Sequence, residues 1–361
     1  MKIKTACFCA LFISLSAFTL RAQTGPSRPQ NPQPPFTYRS EEVVFFNEAD
    51  SARLSGTLTS PDKKGRFPAV VLITGSGTQN RNEEIMGHKP FLVIADHLTR
   101  NGIAVLRFDD RGAGGSTLGK GGITTRSNAR DVKAAVDFLK TRKEIDKKKI
   151  GLIGHSEGGM IAFILAAEDK GICFIVSLAG PGVSGDQILL SQQETYFKTS
   201  GASDSVVRTL LETNREYFNL IKASEANNGD FRTAVSRWLK QKYPAITDAQ
   251  VEAQLKKLLN PWMYDFVKDD PYNVIKQVTV PVLAINGKKD TQVSSRINLP
   301  VIEKALKEGG NLNYQLVEPE ELNHMFQHCK TGMPVEYGQL EETFAPEVLD
   351  IITSWILKQC K

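Results

Sequence analysis

Ten residues, Ile150 to Gly159, hold the pattern most open to a chemical reading: Ile-Gly-Leu-Ile-Gly-His-Ser-Glu-Gly-Gly. An apolar run ends in Gly154-His155-Ser156-Glu157-Gly158, and an apolar helical stretch, Met160 to Ala167, follows at once. A serine in a sharp turn between strand and helix occupies a nucleophile's position, because its hydroxyl stands clear at the strand's end. Gly154 and Gly158 flank it because strand and helix approach closely only where side chains are absent. The backbone N–H of Glu157, at the helix start, then faces the place where an oxyanion would form.

Such a serine needs a base and a group to orient that base, and after this kind of turn they follow in the order Ser, Asp or Glu, His. The apolar stretch Val282–Ile285 runs into Asn286-Gly-Lys-Lys-Asp290, which sets the Asp290 carboxylate just past a strand's end, on the rim that holds Ser156. Of the five histidines, only His324 and His328 come later. His324, within Leu322-Asn-His-Met-Phe326, falls in the loop after the last expected strand and is the expected base. The loop Thr74-Gly75-Ser76-Gly77-Thr78-Gln79 should supply a second oxyanion donor, the Ser76 N–H first and Gly77 next. Gly77 and Gln79 are also candidate substrate contacts.

Three other patterns are set aside. The pair His324/His328 lacks the Glu of a zinc-binding helix and a third ligand at a telling spacing, so no metal is expected. Gly114, Gly119 and Lys120 outline a phosphate loop, but residue 121 is Gly where Ser or Thr would hold magnesium. Asp109-Asp110-Arg111-Gly112 ends a central strand near the same rim, and its charges are read as fixing loop geometry.

The elements that must carry these groups alternate as in an α/β sheet. Strands are expected at 42–46, 53–59, 69–73, 103–108, 150–154, 173–178, 282–285 and 313–317, with helices over 90–101, 127–140 and 346–357. Ala69-Val-Val-Leu-Ile73 is apolar without a break, the pattern of a strand covered on both faces. Between 181 and 280 no strand is evident. Helical patterns fill the interval at 188–198, 206–222, 233–240 and 247–259, and the segment is expected to be a helical cap inserted into a core of 40–180 and 281–361. Its aromatic cluster includes Trp262 and Phe266, candidate residues of an acyl pocket.

The amino terminus has the features of an export signal. Lys2 and Lys4 precede an apolar run from Ala6 to Leu20, and Ala22 closes it. That run is too short for a comfortable membrane span. Cleavage after Ala22 would remove Lys2, Lys4 and Arg21 and take the net charge from +5 to +2, near balance and giving no case for nucleic acid. Residues 23–39, rich in proline, are expected to form an extended tether. The mature chain is expected to be exported, periplasmic or secreted, without stable insertion in a membrane. Cys173, Cys329 and Cys360 remain, an odd number that leaves at least one free thiol.

These pieces resemble the α/β-hydrolases over about residues 40–360, through Gly-His-Ser-Glu-Gly-Gly, Gly-Lys-Lys-Asp and Asn-His-Met-Phe. More narrowly, Ile73-Thr-Gly-Ser-Gly-Thr-Gln79, Gly87-His-Lys-Pro90 and Leu106-Arg-Phe-Asp-Asp-Arg-Gly112 look like bacterial carboxylesterases related to serine aminopeptidase-like hydrolases. The resemblance implies a mostly parallel sheet flanked by helices and hydrolysis of short or medium acyl esters. It implies neither metal nor organic cofactor. It carries the catalytic roles to Ser156, Asp290 and His324; Ser76 and Glu157 stay oxyanion candidates on the reading of the residues alone. Thr74-Gly75 stands where the common motif has His-Gly, so the second donor stays open. A peptidase of the same fold would need acidic groups for a free amino terminus; Glu194, Glu212 and Glu216 show no diagnostic clustering. A thioesterase and a non-catalytic binding protein are the remaining alternatives.

Overall fold

The computed structural model describes residues 27–361, so the expected export signal, 1–22, lies outside the described residues. Residues 27–183 and 270–361 build one compact unit, and 184–269 a second. The first unit begins β1 (Tyr38–Asn47), β2 (Ala52–Pro61), β3 (Phe67–Ile73), α1 (Pro90–Arg100), β4 (Ala104–Phe108), α2 (Thr125–Thr141), β5 (Ile145–His155), α3 (Glu157–Glu168) and β6 (Ile175–Leu178). The second holds α4 (Gly185–Thr199), α5 (Asp204–Ala223), α6 (Gly229–Lys242), α7 (Asp248–Leu258) and α8 (Pro261–Lys268). The first then resumes with α9 (Pro271–Ile275), β7 (Val282–Ile285), α10 (Ser295–Glu308), β8 (Tyr314–Val317), α11 (Pro334–Tyr337) and α12 (Pro346–Gln359).

The eight strands form one sheet in the order β1-β2-β4-β3-β5-β6-β7-β8. β1 with β2 and β2 with β4 are antiparallel; every later pairing is parallel. Side chains alternate across β3: Ala69, Val71 and Ile73 enter one core and Val70 and Leu72 the other. The first core gathers α2, α3 and α10, and the second gathers α1 and α12. β3 and β5 are neighbours, yet the helix after β3 covers one face and the helix after β5 the other. The two connections part at the strands' carboxyl ends, the position at which open α/β sheets bind ligands.

Among the described residues four helices were not expected, α8, α9, α10 and α11, and α10 is the longest of them. α10 starts at Ser294-Ser295 and carries Pro300 in its interior, signals that read as loop in sequence. It forms because Leu299, Ile302, Ala305 and Leu306 bury one face against the sheet. The tether also needs correction in its described part. Arg28 donates to the carbonyls of Leu340 at 2.7 Å and Gly338 at 3.0 Å, and Gln30 Nε2 donates to that of Phe344 at 2.6 Å. Proline-rich chain cannot build an apolar core, but its polar side chains satisfy loop carbonyls and dock it. Cys173, Cys329 and Cys360 are free thiols. Among the described residues no helix is long and apolar enough to cross a membrane.

Arg111 is the largest fully buried side chain. Its Nε and Nη2 donate to the two Asp131 oxygens at 2.7 Å each, and Nη2 also donates to Asp50 at 2.7 Å. Nη1 donates to the carbonyls of Lys120 at 3.2 Å and Gly122 at 3.0 Å. The guanidinium thereby ties the loop after β4 to α2 and to the β1–β2 turn. Arg111→Met should lower stability by about 3–5 kcal/mol, because it leaves buried carboxylates without their main partner. Urea unfolding checks this, and a loss below about 1 kcal/mol would remove Arg111 from the fold's supports.

Candidate active site

At Ser156 the chain turns from β5 into α3 with φ 53° and ψ −122°. A non-glycine residue in that region costs about 1–3 kcal/mol unless its surroundings hold it. The surroundings do. A Cβ on Gly154 would sit 2.0 Å from the Gly158 carbonyl oxygen, and one on Gly158 would sit 2.2 Å from that of Ile73. α3 is thus pressed against both β5 and the end of β3. A Cβ on Gly75 would lie 3.2 Å from the Ser156 Cβ, so the loop after β3 passes beside the serine.

Asp290 follows β7 as its spacing implied, with its side chain wholly buried. Its Oδ1 accepts the N–H groups of Gln292 at 2.7 Å and Val293 at 2.8 Å. Its Oδ2 lies 2.7 Å from His324 Nδ1. A carboxylate there accepts a hydrogen bond from Nδ1–H, which fixes the tautomer and leaves Nε2 as the basic nitrogen. The histidine loop is held by Asn323, whose Oδ1 accepts the N–H groups of Met325 at 2.9 Å and Gln327 at 3.0 Å. A Cβ on Gly287 would lie 2.3 Å from the Leu322 carbonyl, so acid and histidine loops touch through backbone. His328 is elsewhere engaged, exposed and paired with Glu342 at 2.9 Å and Glu347 at 3.2 Å.

The residue before the serine joins the site as well. His155 is buried, and its ring centroid lies 4.7 Å from that of His324. Its Nε2 is 2.9 Å from the His324 carbonyl oxygen and its Nδ1 is 2.9 Å from Glu83 Oε1. The same Glu83 oxygen accepts the Gly75 N–H at 2.7 Å. That bond commits the Gly75 amide to Glu83. Glu157 is the first residue of α3, with its carboxylate buried and accepting the Thr125 hydroxyl at 2.7 Å.

The expected substrate contacts fare unequally. Gln79 closes the loop: its N–H donates to Asp110 Oδ2 at 2.8 Å, its carbonyl accepts the Asp110 N–H at 3.1 Å, and its Nε2 donates to the Ser76 carbonyl at 3.3 Å. Gly77, exposed with φ 101°, takes a conformation that favours glycine. Trp262 and Phe266 belong to α8 in the helical unit, where their rings stack at 5.0 Å. Asp110, read from the sequence as fixing loop geometry, does so through Thr74 and Gln79, whereas Glu83 and His155 escaped sequence reasoning. Glu83 and His155 are 72 positions apart, and no local pattern links them.

A mostly parallel sheet with a strained serine at the turn out of its central strand β5 is the architecture of the α/β-hydrolases. Solved structures agree in fold. A hypothetical protein from Pseudomonas aeruginosa superposes with TM-score 0.57 at 17% identity, over 94% of this chain and 100% of that one. A Pyrococcus furiosus esterase does so with TM-score 0.55 at 20% identity, over 95% and 100%. Within that class the chain belongs to the hydrolase family described as serine aminopeptidase, S33, whose profile matches residues 89–328. Among curated proteins it is 29% identical to esterase EstD of Thermotoga maritima over 84% of this chain and 66% of that protein. A thiohydrolase of Arthrinium phaeospermum is 30% identical over 38% of this chain and 42% of that one. The chain thus spans just under two thirds of the first relative and less than half of the second.

Asp110 yields a pH prediction. Burial, with Glu83 and Glu157 nearby, raises its pKa from 3.8 to about 8, against the opposing bonds from Thr74 and Gln79. The folded protein therefore keeps this proton across a range where the unfolded chain has released it, and stability falls as pH rises from about 4 to about 8. The Thr74 hydroxyl donates to Oδ1 at 2.7 Å and the Gln79 N–H to Oδ2 at 2.8 Å. Asp110→Asn removes the titrating group with little change of shape. Urea midpoints at pH 5 and pH 8 should differ less in the variant than in the wild type; equal slopes would contradict it.

Proposed function

We propose that the protein is a carboxylic ester hydrolase working through Ser156, His324 and Asp290 by way of an acyl-enzyme. The observation that carries this reading is the buried Asp290–His324 pair at 2.7 Å, with the imidazole beside the residue that precedes the strained serine. His324 Nε2 takes the Ser156 proton as Oγ attacks the ester carbonyl carbon. The N–H groups of Glu157 and Ser76 hold the oxyanion. His324 returns the proton to the leaving alkoxide, and the alcohol departs. Water, losing a proton to the same nitrogen, then attacks the acyl carbon and frees the acid and the serine. Asp290 keeps the ring oriented and offsets its charge while it is protonated.

The peptidase alternative is less supported. Glu194 pairs with Lys198 at 2.6 Å, and Glu216 with Lys242 at 2.7 Å and Trp238 Nε1 at 2.9 Å, so two of the three acidic candidates are already engaged.

Ser156→Ala should lose about 10⁴-fold or more in kcat on p-nitrophenyl esters and keep its melting temperature. A panel of such esters of rising chain length, run beside aminoacyl and prolyl amides, tests the substrate class. Faster turnover of the amides would reverse the assignment, and a folded alanine variant with near-normal rate would remove Ser156 from it.

Acyl preference we assign to the helical segment 184–269, which enters the chain between β6 and β7 and carries the Trp262–Phe266 stack. Varied insertions on a constant sheet are how one fold serves many substrates. Trp262→Ala or Phe266→Ala should shift chain-length preference more than it slows acetate esters. Equal slowing of every ester would make the stack purely structural.

A further inference from the structure

The atoms around His155 present a bonding problem with a functional consequence. An imidazole has two ring nitrogens, and here each meets an acceptor: the Glu83 carboxylate at 2.9 Å and the His324 carbonyl at 2.9 Å. A carbonyl oxygen can only accept, so Nε2 carries a proton. Nδ1 then carries one too unless Glu83 is itself the acid. Two donors, the Gly75 N–H and the ring, converge on the single oxygen Oε1, and that convergence favours the carboxylate anion. The ring is buried, so a bare nitrogen facing an acceptor would find no ready relief from water.

We propose that Glu83 and His155 form a buried carboxylate–imidazolium pair that positions both working loops of the site against the serine turn. The proposal rests on the esterase reading and deepens it. Glu83 draws in the loop after β3 by the Gly75 N–H, beside the Ser156 Cβ. His155 is the end of β5 itself and fixes the backbone of His324, so the base-bearing loop is anchored at the very residue that supplies the base. Three segments far apart in the chain thus share one ion pair. Glu83 adopts φ 50°, a conformation unusual for a side-chain-bearing residue and one the pair helps to hold.

The charged groups facing His155 are consistent with this. Burial works against its protonation, but Glu83 from the segment before α1 and Asp290 from the loop after β7 outweigh it and raise the pKa, with the His324 carbonyl adding to them. The His324 ring, from the loop after β8, is the other titratable neighbour. On the far side of the loop Glu83 is faced by Asp110, itself held protonated into the neutral range. A histidine with a raised pKa contributes its stabilisation below the unfolded value near 6.5 and loses it as pH climbs through the folded value. The pair should therefore open on the alkaline side.

Two readouts test the proposal. In protein labelled with nitrogen-15 histidine, the His155 signal, identified by its loss in His155→Asn, should show both ring nitrogens protonated at pH 8. Glu83→Gln should abolish that pattern. On p-nitrophenyl acetate, Glu83→Gln should lower kcat by about 10- to 100-fold with KM within about threefold, as loop misplacement near an ångström does. Glu83→Asp, which keeps the charge, should recover part of the loss. A bare ring nitrogen at pH 8, or a folded Glu83→Gln enzyme with full kcat, would overturn the proposal. The wild-type ring signal alone decides the charge state if Glu83→Gln fails to fold. It is read without substrate, so an enzyme inactive on every ester would sink the esterase reading separately.

Discussion

The structure depends first on backbone meeting backbone where α3 presses on β3 and β5. Gly154 touches Gly158 across the turn, and Gly158 touches the last carbonyl of β3, at separations no side chain permits. That compression forces Ser156 to φ 53°. The strain persists because α3 is buried along nearly its whole length, from Glu157 to Ala166, and cannot lift away. The same contact brings the end of β3, and so the loop 74–79, beside the serine. The strained serine turn and the placement of loop 74–79 are consequences of one packing event.

Charge buried beneath that loop completes its support. Asp110 holds both ends, through the Thr74 hydroxyl and the Gln79 N–H, while Glu83 holds Gly75 and meets His155. Glu157 turns away to Thr125. Under the proposed mechanism an oxyanion forms above them, so carboxylates in such number look counterproductive. Each is committed to donors, however, and Asp110 keeps its proton into the neutral range. A few residues off, Arg111 does the opposite work, a buried cation that neutralises Asp50 and Asp131 and fixes the loop after β4.

The helical unit has its own logic. Tyr217, Phe218, Phe231, Val235, Leu239, Val251, Leu255 and Leu258 form a core separate from the two that sandwich the sheet. Side-chain caps set its helix starts, Asn228 at α6, Thr247 at α7 and Asn260 at α8. A segment with its own core can vary without disturbing the sheet, which suits an insertion that differs in function between relatives of one fold.

Local sequence determined a great deal. Period and turn residues mark every strand of the sheet to within a few positions, because burial on two faces leaves uninterrupted apolar runs such as Ala69–Ile73. The serine turn is legible because its glycines are a steric necessity written over five residues. Asp290 and His324 follow from order along the chain. Helix α10 was hidden because its stability comes from packing that overrides the proline within it. That Gln79, a candidate substrate contact, also closes its loop was not legible, since its partner Asp110 is thirty-one positions away. Glu83 and His155 were invisible for the same reason. Local patterns record what neighbours along the chain do to one another; the charge state of a buried histidine is set by a carboxylate and a carbonyl that only the folded sheet brings to its two sides.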